Sequence, residues 1–215
     1  DATGAVSTAN PYAWAPYWTD SAVNIRHKAN VGDVAEGWSA VNLSSLGTTA
    51  LAGGDLYAGD LGVSGRQLAT STVSQELSGT EGLRFDLASA ATRVSVDLTR
   101  FYVDDDANVR SYNEAGRIQA LDAHGRVVAE RAFVATSSGG LQTVSLEHAA
   151  GFSAVVLTAG AYSGDQFVAG GYADDLGRFA TAPYSDGKLH GSDFLVDSIE
   201  FEIPRVVAVS PEPAL

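Results

Sequence analysis

Apolar and polar positions alternate with a period of two through much of the second half of the chain. Leu83, Phe85 and Leu87 alternate with Arg84 and Asp86. Val94, Val96 and Leu98 alternate with Ser95 and Asp97, and the run continues to Phe101-Tyr102-Val103. Such alternation sets one apolar face against a core and predicts strands. Ile118 and Ala120 lead into Asp122-Ala123-His124-Gly125, and Val127-Val128 return from it, which predicts a hairpin. Thr143 to Leu146 and Phe152 to Thr158 are two further strands. The last strand, Phe194 to Ile203, ends at Pro204, which cannot donate to a ladder.

Elsewhere the pattern is weaker. The first 20 residues, with Tyr12, Trp14, Tyr17 and Trp18 among Pro11 and Pro16, read as an irregular lead-in lying on the sheet. Residues 21 to 60 hold short alternating pieces, Val23-Asn24-Ile25 and Trp38 to Val41, and glycine turns. No segment sustains a helical period with caps, and the Ala-rich piece Leu87 to Thr92 is one helical turn at most. Strands at roughly ten-residue spacing, parted by Gly, Asp, Asn and Ser, predict an all-β fold: an antiparallel β-sandwich, jelly-roll-like. One ligand-binding domain is expected over 1–204, with 205–215, ending Pro211-Glu212-Pro213, as a linker to a further neighbour.

The long stretch Ala159 to Ser192 shows no clear period and is expected to be an irregular loop. A loop of that length in a compact domain is ordinarily functional or tied down by a ligand. Within it Tyr162, Asp165, Arg178, Tyr184, Asp186 and Lys188 are the candidate ligand-binding residues.

Charge narrows the partners. The chain has 215 residues, 26 acidic against 13 Lys plus Arg, and a formal charge of −13. That field repels phosphate backbones and anionic lipid, so neither nucleic acid nor membrane insertion is expected. It suits solubility in salt, and equally hard divalent cations held by oxygens. With no cysteine, neither disulfides nor thiolate metal sites contribute. There is also no methionine, and the chain is expected to start inside a longer precursor.

Enzyme signatures are missing: no Gly-x-Ser-x-Gly elbow, no Walker loop, no His-Glu-x-x-His and no dinucleotide fingerprint. The expectation is a protein without catalytic residues. The positive signal is acidic. Asp104-Asp105-Asp106 follows a strand directly; three adjacent carboxylates either stand in water or share a cation. Asp197 falls on the same face as Leu195, Ile199, Phe201 and Ile203, where the core belongs. A buried carboxylate there needs a metal, an Arg or backbone donors, unless the strand bulges at that point. Glu76, ahead of the strand Leu83 to Leu87, is a second candidate. The run Gly53 to Asp60 is similar to a single glycine-aspartate calcium nonapeptide, but that motif works only by stacking and is discounted.

Several segments occur in a suggestive order. They are Leu61-Gly62-Val63-Ser64-Gly65, Glu76, Phe101-Tyr102, Ala120 to Val128, Val156 to Ala159, Ala161-Tyr162 and Gly191 to Phe201. Together, over about residues 60 to 203, they resemble the peptide-binding domains near the distal end of giant RTX adhesins of Gram-negative bacteria. The resemblance implies an extracellular, calcium-dependent sandwich on the bacterial cell surface. Such a domain grips the C-terminal end of a peptide or surface protein of another cell, in adhesion or biofilm formation. The ion, Ca2+, contacts the peptide carboxylate, which suits a strongly anionic protein.

Position by position, the resemblance carries calcium or ligand contact to Asp165 and Gln166 after Tyr162, and to Ser192 and Asp193 before the last strand. With Glu76, Asp104, Asp106 and Asp197 these are the candidate metal ligands. Phe167 to His190 stands as an insertion relative to that family. Two other readings remain open: a calcium-stabilised carbohydrate-binding sandwich, and an exported surface protein with a PEP-type tail. A monomeric unit within a larger multidomain chain is expected.

Overall fold

The structure is a computed structural model. It describes residues 3–7, 23–28, 39–40, 60–62, 76–79, 81–103, 112–174, 178–180 and 189–204. The expected Asp104-Asp105-Asp106 site, and Tyr184, Asp186, Lys188 and the tail 205–215, lie outside these residues.

The chain is all-β, as its alternation predicts, and the described pairings are antiparallel. Thirteen strands occur among the described residues, and no helix. They are β1 (Thr3–Ser7), β2 (Val23–Lys28), β3 (Ser39–Ala40), β4 (Leu77–Ser78), β5 (Gly82–Thr99), β6 (Ala115–Leu121) and β7 (Val127–Val134). β8 (Gln142–Ser163), β9 (Gln166–Ala169), β10 (Tyr172–Asp174), β11 (Phe179–Ala180), β12 (Leu189–Gly191) and β13 (Asp193–Glu202) follow. Ten of them form one sheet with the spine β1-β13-β5-β8-β6-β7, and β11-β10-β12 form a second.

Two strands are much longer than the pattern suggests. The expected strands Leu83–Leu87 and Val94–Leu98 are the two ends of β5, and Thr143–Leu146 and Phe152–Thr158 are both within β8. Between them the β5–β8 register shifts twice, from Asp86 to Ala91 and from Ala91 to Arg93. Leu87 to Thr92 is therefore irregular strand, not a helical turn. Extra residues in one strand bend the sheet and reset which residues face inward. Leu83 and Phe85 are buried before the irregularity; Val94, Val96 and Leu98 are buried after it.

The bend lets the sheet curl. β7 and β13 stand four places apart, about 19 Å in a flat sheet at ~4.8 Å per strand. Yet the rings of Phe133 on β7 and Phe194 on β13 lie 6.2 Å apart, and both pack on Phe101 at 5.5 and 5.6 Å. β7 and β13 are thus brought face to face, and one continuous core of Leu, Val, Ile and Phe fills the space between. Gly116 allows the closure: a Cβ there would stand 2.6 Å from the Phe133 ring.

The expected hairpin is present. β6 and β7 pair from Ala115–Val134 to Leu121–Val127, and Asp122 holds the turn by accepting from the backbone of His124 and Arg126 and from the Arg126 guanidinium. The expected irregular loop is not what forms over the described part of 159–192. β8 runs on to Ser163, β9 folds back on it, and β10 pairs with β11 and β12. The lead-in likewise contains β1, paired to β13 from Thr3–Glu202 to Ser7–Ser198. β1 pairs with a strand distant in sequence, whereas β9 pairs with the adjoining end of β8; in each case main-chain pairing supplies the hydrogen bonds, so little apolar alternation is required.

Candidate functional site

β13 carries Asp197 on the same parity as its buried residues, a conflict the strand resolves with a bulge. Val196 lies opposite Leu98 and Ser198 opposite Asp97, so Asp197 is an extra residue with no partner position on β5. Beyond it Ile199 and Phe201 point into the core while Glu200 and Glu202 are exposed. Asp197 is turned out of the core and is half-buried.

The bulge faces a second acid. Leu61 and Val196 exchange two backbone hydrogen bonds of 2.8 Å, which places Asp60 beside β13. Asp60 is 8% exposed, accepts a hydrogen bond from the Thr99 hydroxyl, and shares another with Asp197. Burial pushes its carboxyl up, the Thr99 hydroxyl offsets part of this, and the Asp197 charge and hydrogen bond add to the rise, to about 6. The Asp60 carboxyl thus keeps its proton into mildly acidic solution.

Asp97 lines a cleft of about 290 Å³ with Asp197, Thr99, Leu141 and Thr143. Its own oxygens accept from the hydroxyls of Thr143 at 2.5 Å and Ser198 at 2.7 Å. The cleft therefore gathers carboxylate and hydroxyl oxygens, the donor chemistry that a hard cation takes. Among the described residues no three or more His, Cys, Asp or Glu side chains are placed to hold one ion. The Asp60–Asp197 pair with Thr99 fits only part of a calcium shell, the remainder falling to water or to a ligand oxygen.

The other expected ligands do not gather there. Glu76 is buried and ion-paired to Arg100. Burial alone would lower the Arg100 guanidinium; the Glu76 carboxylate outweighs it and holds the group above its ordinary value. Arg100 also adopts φ 56°, a left-handed conformation unusual outside glycine, at the end of β5. Ser192 is buried with its hydroxyl fully used: it donates to the Gly160 carbonyl at 2.7 Å, accepts from the Ala115 N–H at 2.6 Å, and meets the Tyr112 hydroxyl at 3.0 Å. The Asp193 backbone N–H donates to Glu114 at 2.9 Å.

Asp165 and Gln166 are exposed in the turn from β8 to β9, where Gly164 has φ 62°. Tyr162 packs edge-on against Phe167 at 5.7 Å, and the Arg117 guanidinium stands 5.5 Å from the Phe167 ring. Arg178 is exposed just ahead of β11.

Four contributors carried no clear signal in the sequence. Asp60 ends the discounted glycine-aspartate run, and nothing local ties it to Asp197. Asp97 and Thr99 sit on a regular strand as ordinary polar positions. Glu114, fully buried, accepts the N–H groups of Tyr102 at 2.5 Å and Asp193, joining β5, β6 and β13. The conflict at Asp197 was visible in the alternation, because the parity of β13 breaks there. Comparison with protein-family models, curated proteins and solved structures finds no match to this chain.

Proposed function

We propose that this chain is a calcium-dependent binding domain of a bacterial cell-surface adhesin that takes the C-terminal end of a peptide or surface protein of another cell. It acts outside the cell and without catalysis. The carrying observation is the Asp60–Asp197 pair: a buried carboxyl hydrogen-bonded to a second one at a strand bulge, with hydroxyl oxygens alongside. At neutral pH the Asp60 proton is lost, and two close carboxyl groups favour a divalent cation in its place. The peptide part rests on the resemblance in residues 60 to 203. A cation with an incomplete protein shell leaves coordination positions that a ligand carboxylate takes.

Thermal melts at pH 7.5 with calcium, with chelator and with matched sodium chloride test this. A site of the weak extracellular class, with a Kd of about 0.1–1 mM, stabilises by about 1–2 kcal/mol at about 5 mM calcium. The expected rise in midpoint is roughly 3–6 °C, with a further rise from short peptides bearing a free C-terminus and none from amidated ones. No calcium effect, or the same effect in both Asp60→Asn and Asp197→Asn, refutes the metal part. Equal shifts from free and amidated peptides refute carboxylate capture.

A further inference from the structure

β7 and β8 follow one another in the chain and are set antiparallel by two contacts. The Gln142 carboxamide donates to the Val134 carbonyl at 3.0 Å, and the Arg131 guanidinium donates to the Ser145 carbonyl at 3.2 Å. Both belong to a single register, that of a hairpin. Yet among the described residues no main-chain pairing joins the strands: β7 pairs with β6, and Gln142 to Glu147 pair with β5. The ladder is open, and two side chains bridge it.

Those contacts show which main-chain groups stand open. In an antiparallel strand a residue's N–H and C=O point to the same side. The Val134 carbonyl faces β8, so Glu130 and Ala132 also direct their N–H and C=O away from β6. The backbone hydrogen bond from Ala135 to Glu114, 2.8 Å, agrees, placing the odd-numbered positions toward β6. Along this edge Glu130 is exposed, Ala132 and Val134 are half-buried, and Val127 is 48% exposed. β7 reads VVAERAFV and has no Pro; its charges are one acid and one base, Glu130 and Arg131, with no net charge to repel a guest strand.

We propose that the open edge of β7 takes an extended peptide segment, added as a strand along Glu130 to Val134 when the Arg131 and Gln142 side chains swing aside. The chemistry of the edge selects the occupant. It offers N–H and C=O groups in alternation, and only another extended main chain presents the complementary row. A sugar face or a flat apolar surface does not. The exposed side chain of Val127 gives the guest an apolar contact, and the net charge of −13 favours basic side chains on it. The inference rests on the peptide-binding reading above but uses neither Asp60 nor Asp197.

The probe is an end-capped peptide of alternating Thr and Val with a Lys at each end, titrated in chelator by fluorescence anisotropy. Without a free carboxylate or calcium, it does not report on the metal cleft. Its failure leaves the calcium reading standing, and loss of the calcium response in Asp60→Asn leaves the edge standing. Ala132→Pro removes an outward N–H and leaves the β6 ladder intact, and it should weaken binding roughly tenfold. Arg131→Ala removes a bridge and should tighten it about fivefold. A peptide N-methylated at alternate residues, which leaves the protein unaltered, should not bind. Binding unaffected by Ala132→Pro, or retained by the N-methylated peptide, overturns the proposal. So does no binding to either wild type or Arg131→Ala. A concentration-dependent dimer in sedimentation that Ala132→Pro abolishes also overturns it, because a second copy then fills the edge.

Discussion

Asp60 and Arg100 are two charged side chains whose behaviour follows from what surrounds them. The Asp60 carboxyl has a folded value of about 6 against an ordinary 3.8. A raised carboxyl stabilises fully below about 4, and that contribution is lost as pH rises through about 6. Without calcium, Asp60→Asn should therefore match wild type near pH 4 and become progressively more stable than it up to about pH 6. The gain then stays constant at roughly 2–3 kcal/mol. Thermal melts of both proteins across that range in chelator check this, and a difference independent of pH refutes it. The Asn amide still accepts from Thr99 and donates to Asp197, so no contact is lost.

Arg100 is the opposite case. Glu76 keeps only 1% of its side chain exposed, so removing Arg100 takes the ion-pair cation from a buried charge. Arg100→Ala should cost about 3 kcal/mol in denaturant unfolding, and the double variant with Glu76→Gln should recover part of it. Additive losses would show that the two do not act as a pair.

The elements show where local pattern suffices and where it fails. The β6–β7 hairpin is legible because turn chemistry and alternation agree within a few residues: Asp122 caps its own turn and Gly125 supplies φ 77°. β5 is legible at both ends and opaque between them. Its middle, Ala88-Ser89-Ala90, is small and exposed and falls in the gap of the β5–β8 register; the flanking pairs Asp86–Ala154 and Ala91–Phe152, far apart in sequence, keep the chain extended there. β9, β10 and β12 are only three or four residues long, too short for an alternation to show. Gly116 is an element-scale constraint of this kind, a glycine in a strand interior that looks only weakening. Gly116→Ala drives a Cβ into the Phe133 ring and should destabilise by about 1–3 kcal/mol, read in urea unfolding. A neutral outcome would mean that the Phe101–Phe133–Phe194 cluster repacks without loss.

For the whole molecule, charge and curl act together. A net −13 attracts cations generally, so added salt screens repulsion and raises stability without any site. That is why the calcium response is set against sodium chloride at matched ionic strength: only a specific site leaves a difference. The curl decides which groups meet. By bending β5 and β8 together, the sheet brings the ends of β5, β6, β7 and β13 to one region. Ser192, Glu114 and Asp193 join there through hydrogen bonds that span up to 80 residues of sequence.

Taken alone, the sequence determined the all-β class, the antiparallel hairpin, the alternating core faces of β5 and β13, and the misfit of Asp197. Each follows from period-two alternation or turn chemistry, which act over a few residues. Tertiary structure decided what Asp197 meets. Asp60 lies more than a hundred residues earlier, and the register of Leu61 on Val196 is set by packing, not by local preference. It also decided that Glu76 faces Arg100, and that β7 and β8 stay unzipped. A pairing register is a property of two strands at once, and neither strand's residues specify it before the core has closed.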